Sequence, residues 1–271
     1  MMVYLLISLL AVLVLYSLSV MGRRNHPGFD GFRPFRYAHR GLHGNGIPEN
    51  SMAAFRLAKD AGYGIELDIH LLKDGSLAVI HDSALLRTTG KKGVVEDLTM
   101  EELSDYHLEN TDESIPLFSQ VLELYSGQAP LIVELKCVGN NYARLCETAC
   151  KMLDGYDGLY CLESFDPRCL RWLKKNRPDL IRGQLTENYF KSPNCKLPWI
   201  LKVVLSWQML NFLTMPDFIA YRFRDRKHPS NWFARGLWKL RGVSWTLQSQ
   251  QEFDIAVKDS CLPIFEGFVP K

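Results

Sequence analysis

The sequence predicts an α/β fold, and within that class a (β/α)8 barrel, on three observations. Short apolar runs rich in β-forming residues alternate with helical patterns after residue 35. Eight such runs fit into roughly 240 residues, about the length that a closed parallel barrel and its helices occupy. At 271 residues and 47% apolar, the chain can also bury a sizeable core without disulfides or metals.

The first element is a membrane span. Residues 2–20 carry no charged side chain and are mostly Leu, Val, Ile and Ala, enough at ~1.5 Å per residue to just cross a hydrocarbon layer of about 30 Å. No Lys or Arg precedes the run, and Ser19-Val20-Met21 is a poor cleavage site. The expectation is therefore an uncleaved single-pass anchor over residues 1–24, with one catalytic domain over 25–271. Arg23 and Arg24 come directly after the run, and the positive-inside tendency then places the domain in the cytoplasm.

Strands are expected at 36–38, 64–70, 77–81, 131–136, 159–165, 181–185, 217–221 and 243–247. Asn50 or Ser51 caps a helix carrying Met52, Phe55, Leu57 and Ala58 and ended by Gly62, which closes the first β/α unit. Between His81 and Pro116 the pattern is irregular and too long for an ordinary β/α loop, so about 83–116 reads as a small insertion after the third strand. Within it, Thr99 and Glu102 make a capping box with Leu98 and Leu103 as staple, predicting a short helix from Met100. Asp166 caps a further helix with Pro167 at its first position. Residues 198–213 are strongly apolar, with Trp199, Trp207 and Phe212, but Lys202, Gln208 and Asn211 argue against a second span. Two readings stay open there: a segment lying on a bilayer, or a helix packed on the barrel. The next residues, Arg222, Arg224, Arg226 and Lys227, form a basic cluster suited to anionic headgroups or to a solvated loop.

Composition removes several function classes. With 32 basic and 30 acidic residues the net charge is +2, so no global field recruits nucleic acid. The seven cysteines are odd in number and form no CxxC pair, which argues against a disulfide framework and a cysteine zinc site.

Charged residues then converge on one end of the expected barrel. His39-Arg40-Gly41, His81-Asp82 and Glu134-Leu135-Lys136 end strands, Pro48-Glu49-Asn50-Ser51 opens a helix, and Glu66 and Asp68 lie two apart on one face of a strand. Carboxylates gathered in a barrel interior repel unless a cation, a proton or a basic partner joins them. Glu66, Asp68, Glu134 and Glu49 make an oxygen-only set suited to Mg²⁺ or Ca²⁺ rather than zinc. The competing account is a buried ionic network with Arg40 and Lys136. His39 and His81 tilt the balance toward chemistry, because paired imidazoles beside acids and cations suit metal-assisted displacement at phosphorus.

In that order these motifs, with Ser164-Phe165-Asp166 and Trp245-Thr246 later in the chain, resemble the glycerophosphodiester phosphodiesterase family over nearly everything after residue 35. The resemblance implies a TIM barrel and hydrolysis of glycerophosphodiesters to glycerol 3-phosphate and an alcohol with a divalent cation. By position, Glu66, Asp68 and Glu134 would bind the metal, with Glu49 a fourth ligand or a carboxylate one step behind. His39 would be the acid and His81 the base. Arg40 and Lys136 would hold phosphate, Asn50 the metal ligands or glycerol hydroxyls, and Trp245 the glycerol or an apolar tail. Two departures stand out: Ser51 replaces the commoner threonine, and Gln248 stands where asparagine is usual after the tryptophan. Two alternatives accompany this reading, a lysophospholipase D or cyclising phosphodiesterase on membrane lysolipids, and an inactive module holding a phospholipid headgroup.

Overall fold

A computed structural model describes residues 1–271 apart from 25 and 194. In chain order the elements are α1 (Met2–Ser19), β1 (Tyr37–His39), α2 (Met52–Asp60), β2 (Gly64–Leu71), β3 (Leu77–Val79), α3 (Leu86–Thr89), α4 (Phe118–Tyr125), β4 (Leu131–Leu135), α5 (Tyr142–Leu153), β5 (Tyr160–Ser164) and α6 (Pro167–Asn176). The second half of the chain adds β6 (Arg182–Thr186), α7 (Trp199–Ser206), α8 (Asn211–Thr214), β7 (Phe218–Arg222), α9 (Pro229–Asn231), β8 (Arg241–Leu247), α10 (Gln250–Lys258) and β9 (Cys261–Phe265).

β1, β2, β4, β5, β6, β7, β8 and β9 run parallel, and β1 pairs with both β2 and β9, so the sheet closes into an eight-stranded barrel. The expected count stands, but its membership changes. The run at 77–81 is not a stave: β3 pairs antiparallel with β2. Its connection is a tight turn in which the Leu72 amide donates to the Ser76 carbonyl at 2.9 Å, and a turn that short can only reverse the chain. The eighth stave is β9, absent from the sequence expectation because Pro263 lies inside it and proline disqualifies a run from a sheet interior.

Caps form largely where the side chains predict them. The Ser51 hydroxyl accepts from the Ala54 amide at 3.1 Å, and the Asp166 carboxylate from the Arg168 amide at 2.8 Å. The capping box at Thr99 is only half made: Glu102 reaches back to the Thr99 amide at 2.8 Å, while the Thr99 hydroxyl turns to the same carboxylate. The chain after it forms a 3-10 turn, Glu101–Asp105, rather than the expected α-helix. The insertion packs on the β2–β3 hairpin through its own apolar cluster, including Leu72, Ile80, Leu85, Val95 and Leu103.

Odd residues of β2 (Ile65, Leu67 and Ile69) face outward into the core beneath the helices. Inside the barrel, Tyr37, Ile132, Phe218, Val243 and Ile264 fill the lower half, and Phe29 and Phe32 seal its N-terminal end. Gly183 is required there, because a Cβ would come within 2.0 Å of the Phe218 ring.

The apolar stretch 198–213 becomes α7 and α8. Gln208, between them, is buried and donates to Ser230 and Asn231 at 3.0 Å, and Asn211 is buried as well, so these two polar interruptions serve packing on the barrel. One face stays open to solvent, including Trp199, Ile200, Leu201 and Phe212. α1 is long and apolar enough to cross a membrane, and residues 1–15 are exposed. Its last turn and the residues that follow are built into the domain: Trp238 donates to the Ser17 carbonyl at 2.6 Å, Val20 is fully buried, and Arg23 pairs with Asp217 at 2.5 Å.

Candidate active site

Alternation along β2 turns Glu66, Asp68 and His70 to the barrel interior, and parallel register brings acids from neighbouring strands beside them. His39 stands opposite Glu66, Asp68 opposite Glu134, and Glu134 opposite Glu163. Carboxylate oxygens of Glu66, Asp68 and Glu134 lie within 4.8 Å of one another. Lys136 reaches Asp68 at 2.9 Å and Glu134 at 2.8 Å, and Arg40 reaches Asp68 at 3.3 Å. Asn50 donates to Asp68 at 2.8 Å. Arg40 (φ 53°) and Asn50 (φ 52°) both adopt left-handed backbone, uncommon for arginine and readily tolerated by asparagine. Gly41 (φ +82°) is obligatory between them, since a Cβ would meet Ala54 at 2.8 Å.

The electrostatics of this cluster are unbalanced. Burial, reinforced by the charges of Asp68 and Glu134, pushes Glu66 well above the usual carboxylate range. Burial also opposes ionisation of Asp68, but Lys136 and Arg40 overcome it and hold Asp68 well below its ordinary value. Burial raises Glu134, although Lys136 offsets part of the rise. Glu163, a buried acid inside the apolar run of β5 that sequence reasoning passed over, is raised by burial and then by Glu134 and Asp68. Four acids thus share two cations, and among the described residues the buried Glu66 Oε2 has no hydrogen-bond partner. An all-oxygen set with an orphaned lone pair and a charge deficit fits a hard divalent cation. Glu49 stands apart, its Oε1 held by Arg40 at 3.0 Å and Arg87 at 2.6 Å.

Both histidines open on the same cavity, about 40 Å³, lined also by Arg40, Glu66, Glu134, Glu163 and Trp245. His39 Nδ1 lies 2.6 Å from Glu266, and its Nε2 lies 3.7 Å from Glu66. His81 Nδ1 lies 2.5 Å from Asp82, which Arg87 also engages. With a carboxylate at each Nδ1, that nitrogen carries the proton and Nε2 is left as the exchanging atom. Burial lowers His39, against the opposing pull of the Glu266 hydrogen bond. Glu266, absent from the sequence expectation because it comes just after the missed β9, is held down to about 2 chiefly by that same bond. His70, the third inward residue of β2, is buried between Glu96 at 2.5 Å and the His81 carbonyl at 3.1 Å, linking the insertion to the catalytic rim.

Beside this cavity a groove of about 330 Å³ runs between Glu187, Arg222, Phe223, Arg224, Trp245, Gln248 and Glu266. Arg222 and Glu187 pair across it at 2.6 Å. Trp245 borders both spaces, its ring edge-on to Phe165 at 5.6 Å. A cleft of about 370 Å³ around Phe29, Arg33 and Phe253 lies at the opposite end of the barrel and has no carboxylate in its wall.

Comparison with known proteins agrees with this architecture. The chain is 37% identical over 175 residues to a glycerophosphodiester phosphodiesterase of Bacillus altitudinis, a match covering 60% of this chain and 71% of the relative. It is 26% identical over 250 residues to human Glycerophosphodiester phosphodiesterase 1, covering 79% and 72%. It is 38% identical over 117 residues to rat Lysophospholipase D GDPD1, covering 38% and 36%. A solved Oleispira antarctica phosphodiesterase in complex with sn-glycerol-3-phosphate shares the fold, with TM-score 0.73 and 20% identity over 90% of this chain and 95% of that one. Residues 39–217, about two thirds of the chain, match the family pattern described as the glycerophosphoryl diester phosphodiesterase family, and the chain belongs to that family.

Proposed function

We propose that the barrel hydrolyses glycerophosphodiesters to glycerol 3-phosphate and an alcohol, with Glu66, Asp68 and Glu134 holding Mg²⁺ or Ca²⁺. The observation that carries this reading is the sharing of one cavity by two carboxylate-backed histidines and the acid cluster. When bound, the cation supplies polarisation of a non-bridging phosphate oxygen. Arg40 and Lys136, already at the rim of the cluster, balance the charge that builds on phosphorus. His81 Nε2 takes the proton of the attacking oxygen, and His39 Nε2 gives a proton to the departing alkoxide. A bound phosphodiester anion favours the imidazolium form of His39, and Glu266 gives that form its own counter-charge, whereas Asp82 is shared with Arg87. Asn50 orients Asp68, Glu49 orients Arg40, and Trp245 packs against the glycerol or its apolar substituent.

Residues 1–24 act as an uncleaved anchor and residues 25–271 as the catalytic domain. The burial of Val20 and the hydrogen bonds of Trp238 to the Ser17 carbonyl and of Tyr16 to the Trp207 carbonyl support retention of the segment, since cleavage after Met21 would strip these contacts from the barrel. Arg23 and Arg24 support a cytoplasmic domain. Lysolipids form a second substrate class, favoured by the exposed apolar face of α7 and by the activity for which the rat relative is named.

The test is release of glycerol 3-phosphate from glycerophosphocholine by the full chain in detergent with Mg²⁺ or Ca²⁺. EDTA should abolish it, and His39→Ala and His81→Ala should each slow it by about 10²–10⁴. Undiminished rates in both variants would remove the proton-transfer roles. Attack by the glycerol hydroxyl predicts a cyclic phosphate visible by phosphorus NMR; direct attack by water predicts none.

A further inference from the structure

We infer that the end of the barrel bearing the active site docks on the lipid bilayer, through a collar of exposed apolar side chains around α1. This rests on reading α1 as a membrane span.

The direction of α1 is set by where its contacts fall on the barrel. Beyond its C-terminus, the Arg23 amide donates to the Pro216 carbonyl at 2.9 Å and the Arg23 side chain pairs with Asp217, at the N-terminal end of β7. Seven residues earlier, the Tyr16 hydroxyl donates to the Trp207 carbonyl at 3.1 Å. Trp207 belongs to the opposite end: the preceding Leu205 and Ser206 accept from Thr186 and Tyr189, at and past the C-terminal end of β6. Its ring also lies 4.9 Å from His228, past the end of β7. Traced from its C-terminus, α1 therefore climbs the barrel wall toward the C-terminal strand ends. Met2 then lies about 20 Å beyond Tyr16 at 1.5 Å per residue, so for α1 to cross about 30 Å of hydrocarbon the protein surface level with Tyr16 must itself sink into the lipid. Those strand ends are where His39, Lys136, Trp245 and Glu266 stand, so the bilayer that receives α1 lies on the side of the active site.

The surface facing that bilayer has the matching chemistry. Trp199, Ile200 and Leu201 in the first turn of α7, Phe190 in the loop after β6, and Trp232 are 71%, 57%, 42%, 55% and 66% exposed. Trp232 is continuous with the anchor, its ring 4.9 Å from Phe233, which in turn lies 4.9 Å from Tyr16. Tryptophan and tyrosine favour the headgroup boundary, where one side of the ring is wet and the other apolar. Lys191, Lys196, Arg224 and Lys227 are exposed on the same loops. The acids there are engaged, Glu187 by Arg222 and the buried Asp225 by the Asn188 amide. A positive rim around an apolar collar fits anionic headgroups over acyl chains. Docked in this way, the cavity faces the membrane, and a single-chain lipid can keep its tail in the bilayer while its phosphodiester enters.

The test uses the full chain in phosphatidylcholine–phosphatidylglycerol vesicles with brominated acyl chains, which quench tryptophan emission at short range. Carbonate extraction of the same vesicles reports on α1 separately. The expected result is retention of wild type and variants after carbonate, with the quenched emission falling by about half in the double variant Trp199→Phe, Trp232→Phe and unchanged in Trp172→Phe. Retention with unaltered quenching in the double variant overturns the docking and leaves the anchor standing; it is also the result if another protein covers this face. Release by carbonate overturns the anchor, and the orientation with it.

Discussion

A carboxylate behind each imidazole decides what that imidazole can do. Glu266 keeps the Nδ1 proton of His39 in place and turns Nε2 toward the cavity, so Glu266→Gln should lower kcat about 10- to 100-fold with little change in KM, measured on glycerophosphocholine. The same pair sets an acid limit on stability. Glu266 falls from 4.5 to about 2 in the folded chain, so its stabilisation is complete above pH 4.5 and is lost as pH falls through about 2. Its partial exposure limits this to about 2 kcal/mol at most. Burial lowers His39, which works in the same direction, because the unfolded chain then binds more protons below pH 6.5. Denaturant midpoints in detergent should therefore drop on acidification, and Glu266→Gln should flatten the part below pH 4.5. On the proposed cation role, Glu66→Gln takes away a carboxylate whose Oε2 has no hydrogen-bond partner among the described residues, and isothermal titration with Mg²⁺ or Ca²⁺ should show affinity reduced at least tenfold.

Among the elements, β2 was the most legible. Its alternation of Ile65, Leu67 and Ile69 with Glu66, Asp68 and His70 states a strand with one apolar face and one working face, and residues at i and i+2 must share a side. β3 misled because three apolar residues look alike in parallel and antiparallel pairing, and only the length of the turn before it tells them apart. β9 was hidden by Pro263, and Glu266, just beyond it, was hidden in consequence. Glu163 carried a usable signal, an acid in the run Tyr160-Cys161-Leu162-Glu163-Ser164, but nothing in one strand says that its neighbour across the ladder is Glu134. The loop after β1 was legible through Gly41, and its need can be measured. Gly41→Ala combines positive φ with a 2.8 Å approach to Ala54, so it should cost about 1–3 kcal/mol in a chemical denaturation series.

Across the whole molecule, the barrel is a ring whose closure joins distant parts of the chain. β1 pairs with β9, with Tyr37 beside Ile264 and Ala38 beside Phe265. A chain stopped before residue 259 should lack a cooperative thermal transition by circular dichroism, because β1 and β8 would both be left as bare edges over an open core. A net charge of +2 argues against a global field but says nothing of how charge is distributed, and only the strand order tells which end of the barrel the basic loops beside α7 occupy. Ring closure has a temporal consequence as well. Ribosomes deliver α1 and His39 first and β9 with Glu266 last, so the nascent polypeptide carries the His39 imidazole long before its acidic companion exists. Phosphodiesterase competence thus arises only when the final strand arrives to shut the circle.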